Sequence, residues 1–248
     1  MKLWFYAIFM AWGMFLAIPC PFTKWNENAG ARMLAVFPFI GLIIGVLWAL
    51  IAYLMPLISC PKPLAALVLA AFPWLITGFI HLDGFSDVAD ALLSRRDLET
   101  KRRILKDPHI GAFGVIALIL VILAQFCVFL TAEFDRALHI VLAVIPITTR
   151  ACAGLAVLSV RAMDSSQYSK TEAKPAYRVF LALVMTACFV LPIVLFGVKG
   201  IAPLAAAAVF WLCTLRGVKG LGGMNGDISG FALTAAELAG TLILAIIG

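Results

Sequence analysis

Three aspartates, Asp83, Asp87 and Asp90, are spaced four and three residues apart. On a helix these spacings place them on one face, with neighbouring β-carbons about 5–6 Å apart. Carboxylates held that close repel one another, and a divalent cation with oxygen ligands offsets the repulsion. Mg²⁺ held by one or two carboxylates usually brings a substrate phosphate with it. Arg95, Arg96, Lys101, Arg102, Arg103 and Lys106 follow closely, and they suit a second phosphate or an anionic leaving group. An acidic patch followed by a basic run is also what a solvated loop between membrane spans looks like, its arginines fixing topology. The two roles are compatible. Gly84, beside Asp83, costs about 1 kcal/mol relative to alanine inside a helix, which points to a close approach of backbone or ligand there.

Further candidates lie on either side of this run. The stretch Gly217–Gly230, GVKGLGGMNGDISG, is rich in glycine, and freed backbone amides of such a loop can cradle an anion. Within it Asp227 either caps the last helix or supplies another metal oxygen; the plainer reading is a flexible interspan turn. Glu237 lies ten residues further on, about 15 Å deeper along a helix, and Arg150 is the one basic residue at comparable depth. An ionisable group at such depth is usually functional or paired; the plainer reading is a structural ion pair or residues that face a wet cleft. His81 and His109 bracket the charged run as candidate general bases or phosphate donors, although a lone histidine at a span end is more often interfacial. Glu27 and Asn28, in the polar island KWNEN, are within possible reach of the site, and Asp164, Ser165, Ser166 and Lys170 form a weaker group.

These residues need a membrane scaffold. Hydrophobic residues make up 64% of the 248-residue chain and charged ones only 13%, about half the charge of a soluble domain. Apolar runs at 3–19, 33–57, 64–82, 111–131, 138–160, 178–198, 200–215 and 228–247 predict an all-α, polytopic membrane protein with about eight spans. The run 200–215 is short enough to be re-entrant or interfacial. A single integral-membrane domain over 1–248 is expected, because no long polar segment exists to form a second. The first run reads as a retained span, since Pro19-Cys20-Pro21 is not a small-residue cleavage site. The six cysteines are scattered with no CxxC pair, and read as small hydrophobes.

Alternate loops, 20–32, 83–110, 161–178 and 216–227, hold fourteen of the nineteen Lys and Arg residues. The positive-inside rule places them in the cytoplasm and, with an even number of spans, both termini outside. The candidate chemistry then lies on one, cytoplasmic, face of a multi-pass protein of the cytoplasmic (inner) membrane.

The run HLDGFSDVADAL followed by ILKDPHIGAFGVIAL resembles the motif of the cobalamin-5′-phosphate synthase family, the adenosylcobinamide-GDP ribazoletransferases. Three other stretches match in order: PCPFTKWNENAGARMLAVFPFIGLIIGVLW, TTRACAGLAVL and GGMNGDISGFALTAAELAG. The resemblance covers essentially the full length. Many members have a threonine where this chain has Asn225, and the position of Ser86 varies; neither difference removes a carboxylate. The resemblance implies a Mg²⁺-dependent transferase that joins adenosylcobinamide-GDP to α-ribazole, or its 5′-phosphate, with release of GMP. Asp83, Asp87, Asp90 and Asp227 would hold the metal. Arg102, Arg103 and Lys106 would meet the nucleotide phosphate, with Asn225, Asp227, Glu27 and Asn28 toward the substrates. His81, His109 and a metal-assisted aspartate are candidates for taking the hydroxyl proton. The partners are these substrates and the lipid bilayer, with no nucleic acid; a homo-oligomer or an association with other corrinoid enzymes is open.

Two other readings compete. CDP-alcohol phosphatidyltransferases also begin a motif with Asp-Gly-x-x-Asp, but their continuation is missing here. A corrinoid transporter would show repeats and several ionisable groups near the midplane, whereas here the charges gather at one face.

Overall fold

The computed structural model describes residues 2–133, 135–164, 166 and 174–248. Of the weaker group, Ser165 and Lys170 lie outside the described residues. Among the described residues there are ten α-helices: α1 (Lys2–Phe15), α2 (Gly30–Leu57), α3 (Lys62–Ile76), α4 (Ile80–Leu93), α5 (Leu98–Ile104), α6 (Ala112–Thr131), α7 (Arg136–Ser159), α8 (Pro175–Phe196), α9 (Ala202–Leu221) and α10 (Gly226–Ile247). Short 3-10 turns precede α2 and join α8 to α9. Among the described residues there is no strand, only a single bridge between Ala162 and Met224. The all-α expectation holds.

The expected number of about eight spans is not confirmed. Among the described residues five stretches are long and apolar enough to cross a membrane, or six if α3 and α4 count as one bent span. Three expected spans account for the difference. α1 has 14 residues, a length of about 21 Å against a hydrocarbon core of about 30 Å. Its Trp4 ring packs on Tyr177 at the start of α8, and its Phe15 ring stacks on Phe37 in the near third of α2. Both ends of α1 therefore sit toward the same end of the bundle, so it lies across that end instead of traversing it. The run 64–82 breaks at Thr77–Phe79, where α3 and α4 meet at 90°. The runs 178–198 and 200–215 fall in one 47-residue helical stretch that counts once, although it turns at Gly197, whose φ is +60°, so that α8 leads toward Asp135 at the start of α7 and α9 returns to Arg102.

α2 and α7 form the central pair. Gly41 and Gly45, one helical turn apart, sit against the carbonyls of Pro146 and Ala143, where a β-carbon would collide with backbone. Small residues four apart let two membrane helices approach to backbone contact. Around this pair Trp48, Leu142, Ile145, Phe210, Ala236 and Leu244 are buried in one core. Trp48 donates its Nε1–H to the Leu69 carbonyl at 2.8 Å and so ties α2 to α3.

The two ends of the bundle differ. At one end Lys62 approaches Glu133 at 3.8 Å and Lys199 bonds Asp135 at 2.7 Å. At the other, the Met163 N–H donates to the Met224 carbonyl at 2.9 Å and the Met224 N–H to the Arg161 carbonyl at 2.8 Å, which joins the loops that follow α7 and α9. There Arg102 of α5 donates to the Leu221 carbonyl at 2.8 Å. The cation-rich loops thus converge on one end, as their alternation along the sequence implied. The C-terminal Gly248 packs near Glu133 at the far end, whereas α1 lies at the cation-rich end. The two termini are therefore not on one side, because α1 does not cross.

Candidate active site

The break between α3 and α4 builds the site. Gly78 and Phe79 both take left-handed backbone angles, φ +60° and +63°, an arrangement that a non-glycine residue adopts only at some cost. The Thr77 hydroxyl donates to the Pro73 carbonyl at 2.7 Å and the Phe79 N–H to the Trp74 carbonyl at 2.8 Å, which satisfies the end of α3. α4 leaves the break within the bundle, packs along α6 and α10, and carries the aspartates outward.

α4 meets α10 backbone to backbone. A β-carbon on Gly84 would fall 2.9 Å from the Asp227 α-carbon, and one on Gly230 2.9 Å from the His81 carbonyl oxygen. The close approach that Gly84 implied is thus an approach of backbone, and it sets Asp227 beside Asp83. Asn225 caps α10: its Oδ1 accepts from Ile228 N–H at 2.9 Å, and its Nδ2 donates to Asp227 Oδ2 at 2.7 Å. Asp227 is therefore not the cap. One of its oxygens is oriented by Asn225, and the other has no hydrogen-bond partner among the described residues.

The four aspartates divide into two roles. Asp83 is exposed at the mouth of a cavity of about 150 Å³ that Asp227 also lines. The Asp83 carboxylate accepts no hydrogen bond among the described residues. Asp87, half-buried one turn along, receives only a long 3.4 Å contact from Ser86 Oγ, and the charges of Asp83 and Asp227 both bear on it. Asp90 points elsewhere. It accepts the Gly114 N–H at 3.1 Å, satisfying an orphan donor in the first turn of α6, a helix with no side-chain cap of its own. A β-carbon on Gly111 would run into that carboxylate. Asp90 fastens α4 to α6 while Asp83, Asp87 and Asp227 face one another.

The histidines are also separated. His81 is buried and lines the cavity, near the rings of Phe15 and Phe37. His109 is exposed on the loop after α5, 2.9 Å from Asp107 Oδ1. The His109 N–H, and then its ring, hold the Asp107 carboxyl below its usual range. Asp97 caps α5 through the Thr100 N–H at 2.9 Å, and that bond likewise depresses its carboxyl. Arg102, Arg103, Lys106 and His109 line a wide groove of about 650 Å³ at the same end of the bundle. Arg103 and Lys106 are exposed there, whereas Arg102 is occupied by the carbonyls of Leu221 and Gly222.

The glycine-rich stretch is shorter as a loop than its composition suggested. α9 runs to Leu221, so Gly217 and Gly220 are helical and pack on Ile228 and Leu92. The amides of Gly222 and Met224 are taken by the carbonyls of Val218 and Arg161. An anion cradle there has lost those donors to the fold. Glu27 and Asn28 are exposed in the turn before α2, outside the cavity lining. Deeper in the bundle Arg150 is ion-paired directly with Glu237, which also accepts from the Thr149 hydroxyl. The structural reading of that pair is the one observed.

A family model described as cobalamin-5-phosphate synthase matches residues 7–245. The chain belongs to that family. A relative from Clostridium perfringens (strain 13 / Type A), named adenosylcobinamide-GDP ribazoletransferase, is 38% identical over 251 aligned positions that cover all of both chains. Relatives of the same name from Clostridium botulinum (strain Alaska E43 / Type E3) and Lachnoclostridium phytofermentans are 35% and 29% identical. They cover 97% and 98% of this chain, and 97% and 94% of their own. No solved structure matches. The family match extends through α1, α4 and α10, the elements that build the cavity.

Among the described residues no three His, Cys, Asp or Glu side chains close up as a ready-made metal cage. The donor set nevertheless fits Mg²⁺, which keeps several waters and takes one or two carboxylates beside a substrate phosphate. Asp83 and Asp227 flank one opening with uncommitted oxygens, and Asp87 adds negative charge behind them. The cavity also enlists Met14, Phe15 and Phe37, which sequence reasoning did not single out. Inside long apolar runs, nothing in their types distinguishes them from residues that face lipid or core.

Proposed function

We propose that the protein transfers the adenosylcobinamide-phosphate group of adenosylcobinamide-GDP to α-ribazole or its 5′-phosphate, releasing GMP. The observation that supports this most is the convergence of uncommitted carboxylates, Asp83 and Asp227, at the mouth of a cavity near an exposed cationic groove, in a chain of this family. A ribose hydroxyl of the acceptor attacks the phosphorus on the cobinamide side of the pyrophosphate. The bond from that phosphorus to the bridging oxygen breaks, GMP departs with that oxygen, and the hydroxyl proton is lost to solvent at the open mouth. Mg²⁺, when bound, neutralises charge on the pyrophosphate and on the departing GMP.

The chain's own residues supply position. Asp83 and Asp227 hold the metal-facing side of the opening, with Asp87 as the third carboxylate. Asp90 keeps α4 in register with α6, so that the first two point to the mouth. Arg103 and Lys106 take the nucleotide phosphates as charge-assisted donors. In-line placement of hydroxyl and phosphorus then accounts for much of the rate. The cation-rich end faces the cytoplasm, where its lysines and arginines belong by the positive-inside rule.

The test is GMP release by detergent-purified protein given adenosylcobinamide-GDP and α-ribazole, with and without Mg²⁺. Release that needs both acceptor and Mg²⁺ is expected; no GMP from folded protein would overturn the reading. A single cysteine at position 94 (Ser94→Cys) should react with an impermeant maleimide only from the cytoplasmic side, and labelling from outside alone would reverse the orientation.

A further inference from the structure

The cationic groove and the carboxylate opening are carried by separate parts of the chain. Arg103 and Lys106 belong to the excursion between α4 and α6, whose one helix, α5, has seven residues. Asp83 and Asp227 sit on α4 and α10. A donor with its nucleotide phosphate in the groove and its attacked phosphorus at the opening touches both, so the separation of the two has to be held.

Arg102 ties the excursion to the connection that leads into Asp227. Its Nε–H donates to the Leu221 carbonyl at 2.8 Å and its Nη2 to the Gly222 carbonyl at 3.3 Å, across 119 and 120 residues of sequence. These carbonyls stand at the negative end of α9, where a guanidinium is favoured. Gly222 is left-handed, with φ +83°, and a β-carbon there would collide with the guanidinium and touch Leu98 of α5. Three residues on, Asn225 caps α10 and orients Asp227. One side chain of α5 thus grips the backbone that leads to a carboxylate of the opening. Its neighbour Arg103, and Lys106 one turn later, are the exposed cations of the groove.

We infer that Arg102 is a positioning residue, a strut that fixes the span between groove and opening and so the length of phosphate bridge the protein accepts. The inference rests on the proposed transfer reaction. Arg102 lines the groove as well, but two of its three guanidino nitrogens are spent on carbonyls, which leaves the phosphate contact to Arg103 and Lys106. The planar fork can hold two carbonyls at once, whereas a lysine is a single point of charge. Without the fork each half of the site keeps its own residues, but one half drifts against the other. A misplacement of about 1 Å can cost about a hundredfold in rate.

The test sets a ligand that fills the groove alone, GMP, against one that spans both halves, adenosylcobinamide-GDP. Arg102→Met keeps an unbranched side chain but no donor. By equilibrium dialysis it should bind GMP within about threefold of wild type, while its kcat for the donor falls about a hundredfold. Arg103→Ala should weaken GMP by about tenfold or more, the loss of a charge-assisted hydrogen bond. Wild type should favour the donor about tenfold in kcat/KM over an analogue bridged by three phosphates, and in Arg102→Met that preference should fall below about threefold. Loss of folded protein does not change such a ratio. Arg102→Lys keeps one point of attachment and should recover part of both kcat and preference.

Arg102→Met weakening GMP as much as Arg103→Ala would overturn the inference, because Arg102 would then be a phosphate ligand. An unchanged preference between the two bridges would overturn it too. If Arg102→Met does not fold, Arg102→Lys decides by the same two readings, with smaller losses expected. Absence of GMP release by wild type refutes the transfer reaction beneath, whereas release by wild type with either contrary result refutes the strut alone.

Discussion

Glu237 and the Asp83–Asp87–Asp227 group sit on neighbouring stretches of the same packed helices, and the protein treats their charges in opposite ways. Glu237, 5% exposed, has Arg150, 0% exposed, as a direct partner and Thr149 as a second donor. An ionised group near the middle of a membrane helix costs about 2.5–3.5 kcal/mol, and here each charge answers the other. The aspartates have no such answer. Among the described residues three Lys or Arg ion pairs and the His109–Asp107 contact occur, and none includes Asp83, Asp87, Asp90 or Asp227. Asp90 spends its charge on an α6 amide, but the other three face one another. Where the fold needs a charge for its own stability it supplies the partner; where it leaves like charges together, the partner comes from outside. A divalent cation and the phosphates it accompanies meet that need.

Breaking the buried ion pair should produce the largest effect. Glu237→Gln leaves Arg150 buried and uncompensated and should destabilise the protein by about 3–5 kcal/mol, read as a fall in detergent melting temperature. Replacing both partners by methionine should recover most of that loss, since a well-packed apolar pair is often as stable as a buried ion pair. Asp83→Asn should do the reverse. It relieves repulsion, so the melting temperature should stay level or rise, while GMP release falls by about a hundredfold, or about 2.7 kcal/mol of transition-state stabilisation. A melting temperature lowered as far as in Glu237→Gln would erase the contrast between the two groups.

Smaller changes sharpen it. Gly84→Ala pushes a methyl against the Asp227 backbone and should cost about 1–3 kcal/mol of stability by overpacking, with activity reduced because Asp227 moves away from Asp83. Asn225→Ala removes the cap of α10 and the donor to Asp227 Oδ2, with an expected loss of about 1 kcal/mol. Its effect on the Mg²⁺ concentration needed for half-maximal GMP release should exceed its effect on melting.

Much of this contrast was legible in the sequence, and the exceptions share a cause. The spacing of Asp83 and Asp87 put them on one face, and the match in depth of Glu237 and Arg150 made an ion pair one of the open readings. The all-helical membrane class followed from composition, and the cation-rich loops do gather at one end. What local pattern could not show was how distant segments meet. Asp90 belongs to the same periodic set as Asp83, and only its contact with Gly114 reveals that it serves α6. The run at 3–19 has the apolarity of a span, but α1 ends early and lies across the bundle because Phe15 and Trp4 pack against α2 and α8. The break at Gly78–Phe79 interrupts a run that hydropathy reads as continuous. Gly41 and Gly45 carry a local spacing that could have identified α2 as a close-packing helix, whereas Phe15 and Phe37 carry none that marks a cavity.

The most direct measurement is calorimetric titration of Mn²⁺, as a Mg²⁺ substitute, into the detergent-purified protein in the presence of adenosylcobinamide-GDP without acceptor. Wild type and the methionine double replacement of Arg150 and Glu237 should bind one ion alike, and Asp83→Asn and Asp227→Asn should each weaken that binding at least tenfold. Binding unchanged in both aspartate variants would mean that these carboxylates do not await a cation, and would contradict the distinction between the two charged groups.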